Sequence, residues 1–408
     1  MTPAHDFIHL DEGVYRLEVP TLGIVLQVDR LRRKSDELIG ELTALCDLPG
    51  AMRVSDAGVI SAADFNLSGV RSRRDRAVLL ARRSQTAGFD WDSLVEYFCQ
   101  RVIQAERVGA PALLLRDVPK ASPDATWAIH GVPVLKDHPE IVFGDGGACK
   151  SLIALARAGE LARRGVPVLY CDWETSASDH RERLEQLFGT EMPGVLYARC
   201  EAPLTVEADR LRRLIVAHSI QYVILDSVAY GCDGPPEAAE TANGYCRALR
   251  RLRVGSTMIA HINRSENGDQ KPFGSVFWHN SARSTWFVKR SEADGNASDL
   301  TVMLSHRKVN SGPLLAARGL RITFGNGRIG IQPTDLADST DFASKLPLWQ
   351  RMKGTLTHGP MTSVAMASEL DAKVDTIDRT VRRLTKLFTR QPGADGVTRI
   401  HLVERRVS

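Results

Sequence analysis

Phe143-Gly144-Asp145-Gly146-Gly147-Ala148-Cys149-Lys150-Ser151 is the stretch that decides the fold of this chain. From Gly144 to Ser151 it fits GxxxxGK[ST] at every fixed position but one: Cys149 stands where the last glycine belongs. Ile141-Val142-Phe143 before it reads as a strand, and Leu152-Ile153-Ala154-Leu155-Ala156 after it reads as a helix. That context is what the motif needs, because loop N–H groups and a helix N-terminus together cradle phosphates. Gly144, Asp145, Gly146, Gly147, Ala148, Cys149, Lys150 and Ser151 are therefore the expected ATP-binding loop. Lys150 is expected to reach the β- and γ-phosphates and Ser151 to bind Mg²⁺. If the loop holds Cys149 left-handed, its side chain costs roughly 1–2 kcal/mol. Such strain would slow turnover or weaken nucleotide binding without abolishing either.

Three more apolar runs end in polar residues. Val166-Pro167-Val168-Leu169-Tyr170-Cys171 runs into Asp172-Trp173-Glu174. A carboxylate at the carboxyl end of a sheet strand faces the ligand crevice. Glu174 is the candidate base for the attacking water, and Asp172 is the competing carboxylate. Tyr222-Val223-Ile224-Leu225-Asp226 fits a Walker B strand, with Asp226 holding Mg²⁺ through water. Thr257-Met258-Ile259-Ala260-His261 ends in a histidine that could sense the γ-phosphate. Near-continuous apolar strands alternating with helices predict an α/β fold with a mostly parallel sheet covered on both faces.

Outward from this core, residues 119–333 form the expected ATPase domain, opened by a polar, Pro-containing joint at 119–124. Residues 1–118 are a mixed α/β segment. Gly23-Ile24-Val25-Leu26-Gln27-Val28-Asp29 reads as a strand, and Trp91, Leu94, Val95, Phe98, Val102 and Ile103 recur at helical spacing. Arg71, Arg73, Arg74, Arg76, Arg82 and Arg83 form a basic run, read first as a solvated helix face and second as a nucleic-acid contact. Residues 334–343 read as a polar, acidic linker.

Residues 344–408 are a small basic domain. From Asp341 onward 12 Lys and Arg face 7 Asp and Glu, whereas the whole chain has a net charge of +4. A helix is expected from Lys345 to His358, a second from Ser363 to Leu370, and a third capped by Asp375 with Asp378 as its capping-box partner. The third helix buries Ile377, Val381, Leu384 and Phe388 and leaves Arg379, Arg383, Lys386 and Arg390 outward. A turn at 391–396 then leads into a strand, Val397-Thr398-Arg399-Ile400-His401-Leu402-Val403. This order describes a winged helix-turn-helix, with those four basic residues as candidate DNA contacts and a protein-docking module as the alternative.

Composition excludes other classes. No run of about 18 uncharged apolar residues occurs, so no membrane span is expected. The N-terminus lacks the basic start and apolar middle of a signal peptide, which points to a cytoplasmic protein. Seven cysteines without a CxxC pair argue against a zinc knuckle or disulfide framework.

Together the four strand ends resemble the RecA-like superfamily, and within it the hexameric replicative helicases of the plasmid RepA and DnaB type. The resemblance covers roughly residues 125–333. It implies an ATP- and Mg²⁺-dependent motor in which Lys150, Glu174 and His261 act on the phosphates. Phe273-Gly274-Ser275-Val276-Phe277-Trp278-His279-Asn280-Ser281-Ala282-Arg283-Ser284-Thr285-Trp286 is similar to the family's GSxxxxNxxRW stretch, with the tryptophan displaced by two residues. It implies that Arg283 reaches into a neighbouring subunit's ATP. His306-Arg307-Lys308-Val309-Asn310-Ser311-Gly312-Pro313 is similar to the family's late lysine segment and makes Lys308 a second finger candidate, with Asn310 where DnaB-type members carry another basic residue. The implied partners are single-stranded DNA in the motor core, duplex DNA at the winged helix, and further copies of the chain in a hexameric ring or filament. Three functions follow: a helicase or translocase in replication or recombination, a RecA-like recombinase or annealing partner, or an ATP-switched DNA-binding regulator.

Overall fold

In the computed structural model residues 5–11, 13–86, 88–109, 112–120, 125–261, 272, 274–292, 298–310, 312–343 and 346–403 are described. Phe273, Ser311, Lys345 and the part of the joint at 121–124 lie outside them. The chain divides into two units, Met1–Lys120 and Ala121–Ser408.

The first unit is an antiparallel meander of β1 (Asp6–Asp11), β2 (Val14–Val19), β3 (Ile24–Lys34), β4 (Glu37–Cys46) and β5 (Val59–Asn66) in that spatial order. Alternate residues of β3, Ile24, Leu26 and Val28, are buried, as the two-residue period of a half-covered strand requires. Gly23 is a left-handed turn residue before this strand (φ 56°), so the strand starts one residue later than expected. Helices α1 (Val70–Ser84) and α2 (Trp91–Val108) supply the rest of this core, α2 through Trp91, Leu94, Val95, Phe98, Cys99 and Val102. The basic run lies on α1 and is only partly a solvated face. Arg73 is buried against Glu96, Arg76 donates to Ser61 Oγ, and Arg83 donates to the Ile60 carbonyl.

The second unit opens with a hairpin, β6 (Thr126–Ile129) and β7 (Val132–Leu135). The main sheet follows. In chain order it is β8 (Pro139–Gly144), α3 (Lys150–Arg163), β9 (Val168–Asp172), α4 (Ala177–Phe188), β10 (Val195–Arg199), α5 (Leu204–Ala217), β11 (Tyr222–Asp226), α6 (Ala239–Leu252), β12 (Gly255–His261), α7 (Val276–Ser281) and β13 (Ser284–Arg290). Three further strands complete it: β14 (Asp299–Val309), β15 (Arg318–Gly325) and β16 (Arg328–Thr334). The spatial order is β10-β9-β11-β12-β8-β13-β14-β15-β16. The strands from β10 to β13 pair in parallel, and β14, β15 and β16 extend the sheet antiparallel.

Both faces of the parallel part are covered, which is why its strands read as unbroken apolar runs. Val142, Tyr170, Ile224, Ile259 and Trp286 pack toward α3 and α4. Ile141, Phe143, Leu169, Leu225, Met258 and Phe287 pack toward α5 and α6. Trp286 of the quoted late stretch is thus a core residue of β13.

Residues 334–343 are not a loose linker. Leu336, Phe342 and Leu346 bury themselves with Met303, and the short helix α8 (Thr340–Ala343) lies within this segment. Helix α9 (Leu348–Leu356) starts after Pro347, later than expected, because proline suits a helix start. Helices α10 (Ser363–Glu369) and α11 (Val374–Arg383) and the antiparallel pair β17 (Phe388–Pro392) and β18 (Thr398–Leu402) share one apolar cluster built on Met352, Met366, Ile377, Val381, Phe388 and Ile400. The expected capping box on α11 is absent. Lys373 is the N-cap without a side-chain cap, and the Asp378 carboxylate pairs with Arg390 instead. No helix among the described residues is long and apolar enough to cross a membrane.

Candidate functional site

The carboxyl ends of β8, β9, β11 and β12 lie side by side, and their pairing aligns Asp226 with Asp172 and His261 with Gly144. The loop after β8 turns into α3 above them. Gly144 is required where it stands, since a Cβ there would lie 2.2 Å from the Val288 carbonyl oxygen of β13. Gly147 and Cys149 both take positive φ, 74° and 60°. Cys149 therefore carries the strain expected of a side chain in a glycine position, at the N-cap of α3. Burial raises its thiol pKa, opposed by the nearby charges of Arg290 and Lys150.

A cavity of about 470 Å³ opens at this end of the sheet. Gly146 to Ser151 form one wall, and Glu174, Asp226 and His261 reach it from the neighbouring strands. Lys150 is buried, and its ammonium donates to the Gly144 and Asp145 carbonyls at 3.0 and 2.7 Å. Burial lowers its pKa, and the carboxylates of Asp226, Glu174 and Asp145 oppose that shift. Asp226 is 3% exposed, and burial raises its pKa, with the Tyr170 and Ser151 hydroxyls pulling the other way. The Tyr170 hydroxyl donates to Asp226 Oδ2 at 2.6 Å, while Oδ1 is buried and makes no hydrogen bond.

The two acids of the Asp172-Trp173-Glu174 run differ in kind. Asp172 accepts from the Glu174 and Thr175 backbone N–H groups, from the Tyr197 hydroxyl at 2.9 Å and from the Thr175 hydroxyl. Burial alone would raise its pKa, but His180 and these donors outweigh it and hold the carboxyl well below the usual range. Its oxygens are spent on holding the turn. Glu174, carried on that turn, is exposed to the cavity and accepts from the Ser227 hydroxyl.

The opposite end of the sheet holds the other two candidates. Arg283 directly precedes β13, and its N–H donates to the Pro139 carbonyl at the start of β8. Lys308 lies near the end of β14, paired with Thr285. The Lys308 ammonium donates to the His279, Asn280 and Ala282 carbonyls at 2.7–2.8 Å, closing the end of α7 just before Arg283. Neither residue lines the cavity of its own chain.

Several neighbours of the loop carry no signal in the sequence. Arg183 and Gln186 of α4, and Phe324 and Ile329 of the β15–β16 hairpin, line the same cavity. Lys289 and Arg290, at the end of β13, flank Asp145 to Ala148 on the other side. None belongs to a motif; only the pairing of β13 beside β8 brings the last two there. On α11 Arg379 and Arg383 are exposed, as is Lys386 just beyond it. Arg390 pairs with Asp378 and donates to Ser363 Oγ at 3.2 Å, so it is not a free outward cation.

The strand order, the loop after the β8 strand and the flanking carboxylate strand define an α/β chain with a mostly parallel main sheet that carries a P-loop-type turn, and a separate antiparallel N-terminal unit. No family model matches the chain, and no curated protein matches it. Among solved structures it is similar to a KaiC-like protein of the hyperthermophilic archaeon Pyrococcus horikoshii, at 14% identity over 49% of this chain and 91% of that one, with a TM-score of 0.39. It is also similar to the ATPase domain of G40P, at 14% identity over 48% of this chain and 84% of that one, again with a TM-score of 0.39.

Proposed function

We propose that the chain is an ATP-hydrolysing RecA-like motor acting on DNA, a helicase or translocase of the RepA and DnaB kind. The observation that carries this reading is the convergence of Lys150, Ser151, Glu174, Asp226 and His261 on one cavity at the carboxyl end of the sheet. In it the loop N–H groups and Lys150 bind the phosphates, exchanging the carbonyls that Lys150 now holds for phosphate oxygens. Glu174, carried on the turn that Asp172 fixes and with its carboxylate exposed to the cavity, orients the attacking water and takes its proton. His261 sits beside Gly144 and hydrogen-bonds the terminal phosphate.

The residues fit Mg²⁺ carried with ATP. Such an ion needs one or two carboxylates plus phosphate oxygens, and the unpartnered Oδ1 of Asp226 and the Ser151 hydroxyl are placed to hold it. When bound there, Mg²⁺ neutralises charge on the transferring phosphoryl group.

Arg283 lies at the far end of the sheet from its own loop, which suits an arginine supplied to a neighbouring copy in a ring or filament. Lys308 acts by fixing the segment that carries Arg283. The C-terminal segment is read as a winged helix-turn-helix whose α11 offers Arg379, Arg383 and the following Lys386 to duplex DNA, while the motor core tracks a single strand. A second reading, an ATP-driven switch on DNA, is favoured by the left-handed Cys149, which costs the loop the freedom of glycine. The test is ATP hydrolysis by Lys150→Ala. Its loss is expected, and hydrolysis at the wild-type rate would overturn both readings.

A further inference from the structure

We infer that a second phosphate-binding cleft lies at the amino end of the sheet, and that in the assembly Arg250 acts there beside Arg283 on the terminal phosphate held by the neighbouring copy. This rests on the reading of Arg283 as a neighbour-facing residue.

The cleft is about 660 Å³ in volume and is framed by the starts of β8, β12 and β13 and the end of α6. Arg250 and Arg283 both line it and both are exposed. Neither side chain makes an ion pair or hydrogen bond among the described residues. Their neighbours are spent: Arg251 pairs with Asp209, and Arg212 donates to the Leu252 carbonyl at 3.0 Å. Asp137 is the one carboxylate among the residues lining the cleft, so its charge balance favours an anion.

Neutral groups complete it. Asn243, Asn280 and Asn310 line the walls, each with an amide that can donate to phosphate oxygens. Ser256 is 1% exposed, lines the same cleft, and its hydroxyl has no hydrogen-bond partner. A buried unpaired hydroxyl costs free energy that a ligand oxygen would recover. The site is also rigid. The Arg283 backbone is pinned on both sides, its N–H to Pro139 and its carbonyl by the Asn310 N–H at 3.0 Å, and Lys308 closes the helix before it.

The occupant follows from the two ends of the sheet. The carboxyl end gathers phosphate, and the amino end presents unspent cations. Copies associating head to tail bring these unlike surfaces together. Arg250, in the last turn of α6, lies outside every motif in the sequence, and only the cleft links it to Arg283.

The experiment uses full-length chains and steady-state ATPase with separate ATP-binding measurements. Arg250→Ala should bind ATP as the wild type does and turn over about tenfold or more slowly, with Arg250→Lys keeping part of the rate. Mixing Arg250→Ala with Lys150→Ala, with co-assembly verified, should restore activity above either alone, because some interfaces pair an intact loop with an intact cleft. Mixing Arg250→Ala with Arg283→Ala should restore nothing, since both lesions lie on the same face. A wild-type rate for Arg250→Ala overturns the proposal. So does failure of the Arg250→Ala and Lys150→Ala mixture while Arg283→Ala and Lys150→Ala succeed, which leaves the reading of Arg283 standing. Failure of both mixtures overturns that reading and the proposal with it. ADP binding by Lys150→Ala that is lost on adding Arg250→Ala would mean the cleft takes free nucleotide, and would also overturn it.

Discussion

Asp172 and Asp226 end neighbouring strands in register, yet their carboxyls shift in opposite directions. Asp226 binds its proton more tightly in the fold than in the unfolded chain. The stability this brings is fully present below the ordinary aspartate pKa, about 3.9, and is lost as pH rises through the raised native value. At neutral pH the charged, buried Asp226 is therefore a cost. Asp226→Asn should melt higher than the wild type without nucleotide at about pH 7, and the gain should vanish toward about pH 4. Asp172 has the reverse sign: its contribution is present above the ordinary value and lost as pH falls through its lowered native one. Asp172→Asn should cost about 1–3 kcal/mol at neutral pH by stripping charge from a buried set of hydrogen bonds. Thermal melts of both variants across pH decide it, and an Asp226→Asn protein less stable at neutral pH would contradict this account. Cys149 offers a third residue-level test. Cys149→Gly should gain about 1 kcal/mol, net of glycine's greater unfolded entropy, and tighten ATP binding. A melt or affinity no better than the wild type would show that the loop is unstrained.

At the scale of elements, Lys308 closes the end of α7, and Arg379 and Arg383 are exposed on α11. Lys308→Met removes the cation from three carbonyls and should lower the ATPase rate through Arg283 while leaving ATP affinity intact. A variant with unchanged turnover would mean that Arg283 holds its place without Lys308. On and just beyond α11, replacing Arg379, Arg383 and Lys386 with Glu should weaken duplex-DNA binding and flatten its dependence on log salt by about three. An unchanged slope would make this surface a protein-docking one. Which elements were legible in the sequence follows from burial. Strands β8, β9, β11 and β12 are covered on both faces, so they read as apolar runs, and their polar ends mark the site directly. Strands β14, β15 and β16 mix buried Leu304, Leu320 and Ile322 with exposed arginines, and β1 and β2 are short and charged, so no run betrays them. The spacing of Asp375 and Asp378 predicts a capping box with Asp375 as the cap, but the partner of Asp378, Arg390, lies on β17, beyond any helical period. The sequence names Glu174 as the base and Asp172 only as its competitor; what sets Asp172 aside in the fold is Tyr197 and His180, brought in by β10 and α4.

At the scale of the whole sheet, the glycine-rich loop and its acids line a cavity at the carboxyl end, and exposed Arg250 and Arg283 line a cleft at the amino end. Arg283→Ala and Lys150→Ala chains, each nearly inactive, should regain ATPase activity when co-assembled. Absence of any gain would place Arg283 outside the reaction or within its own subunit. The central claim is that ATP is cleaved in the carboxyl-end cavity, with Glu174 and not Asp172 acting on the water. The most direct measurement is ATP binding and single-turnover hydrolysis on the same preparation of Glu174→Gln. Affinity should stay near that of the wild type, with hydrolysis reduced by about a hundredfold or more, since an amide cannot take the proton. Hydrolysis at the wild-type rate, or loss of ATP binding together with the fold of the turn, would contradict it.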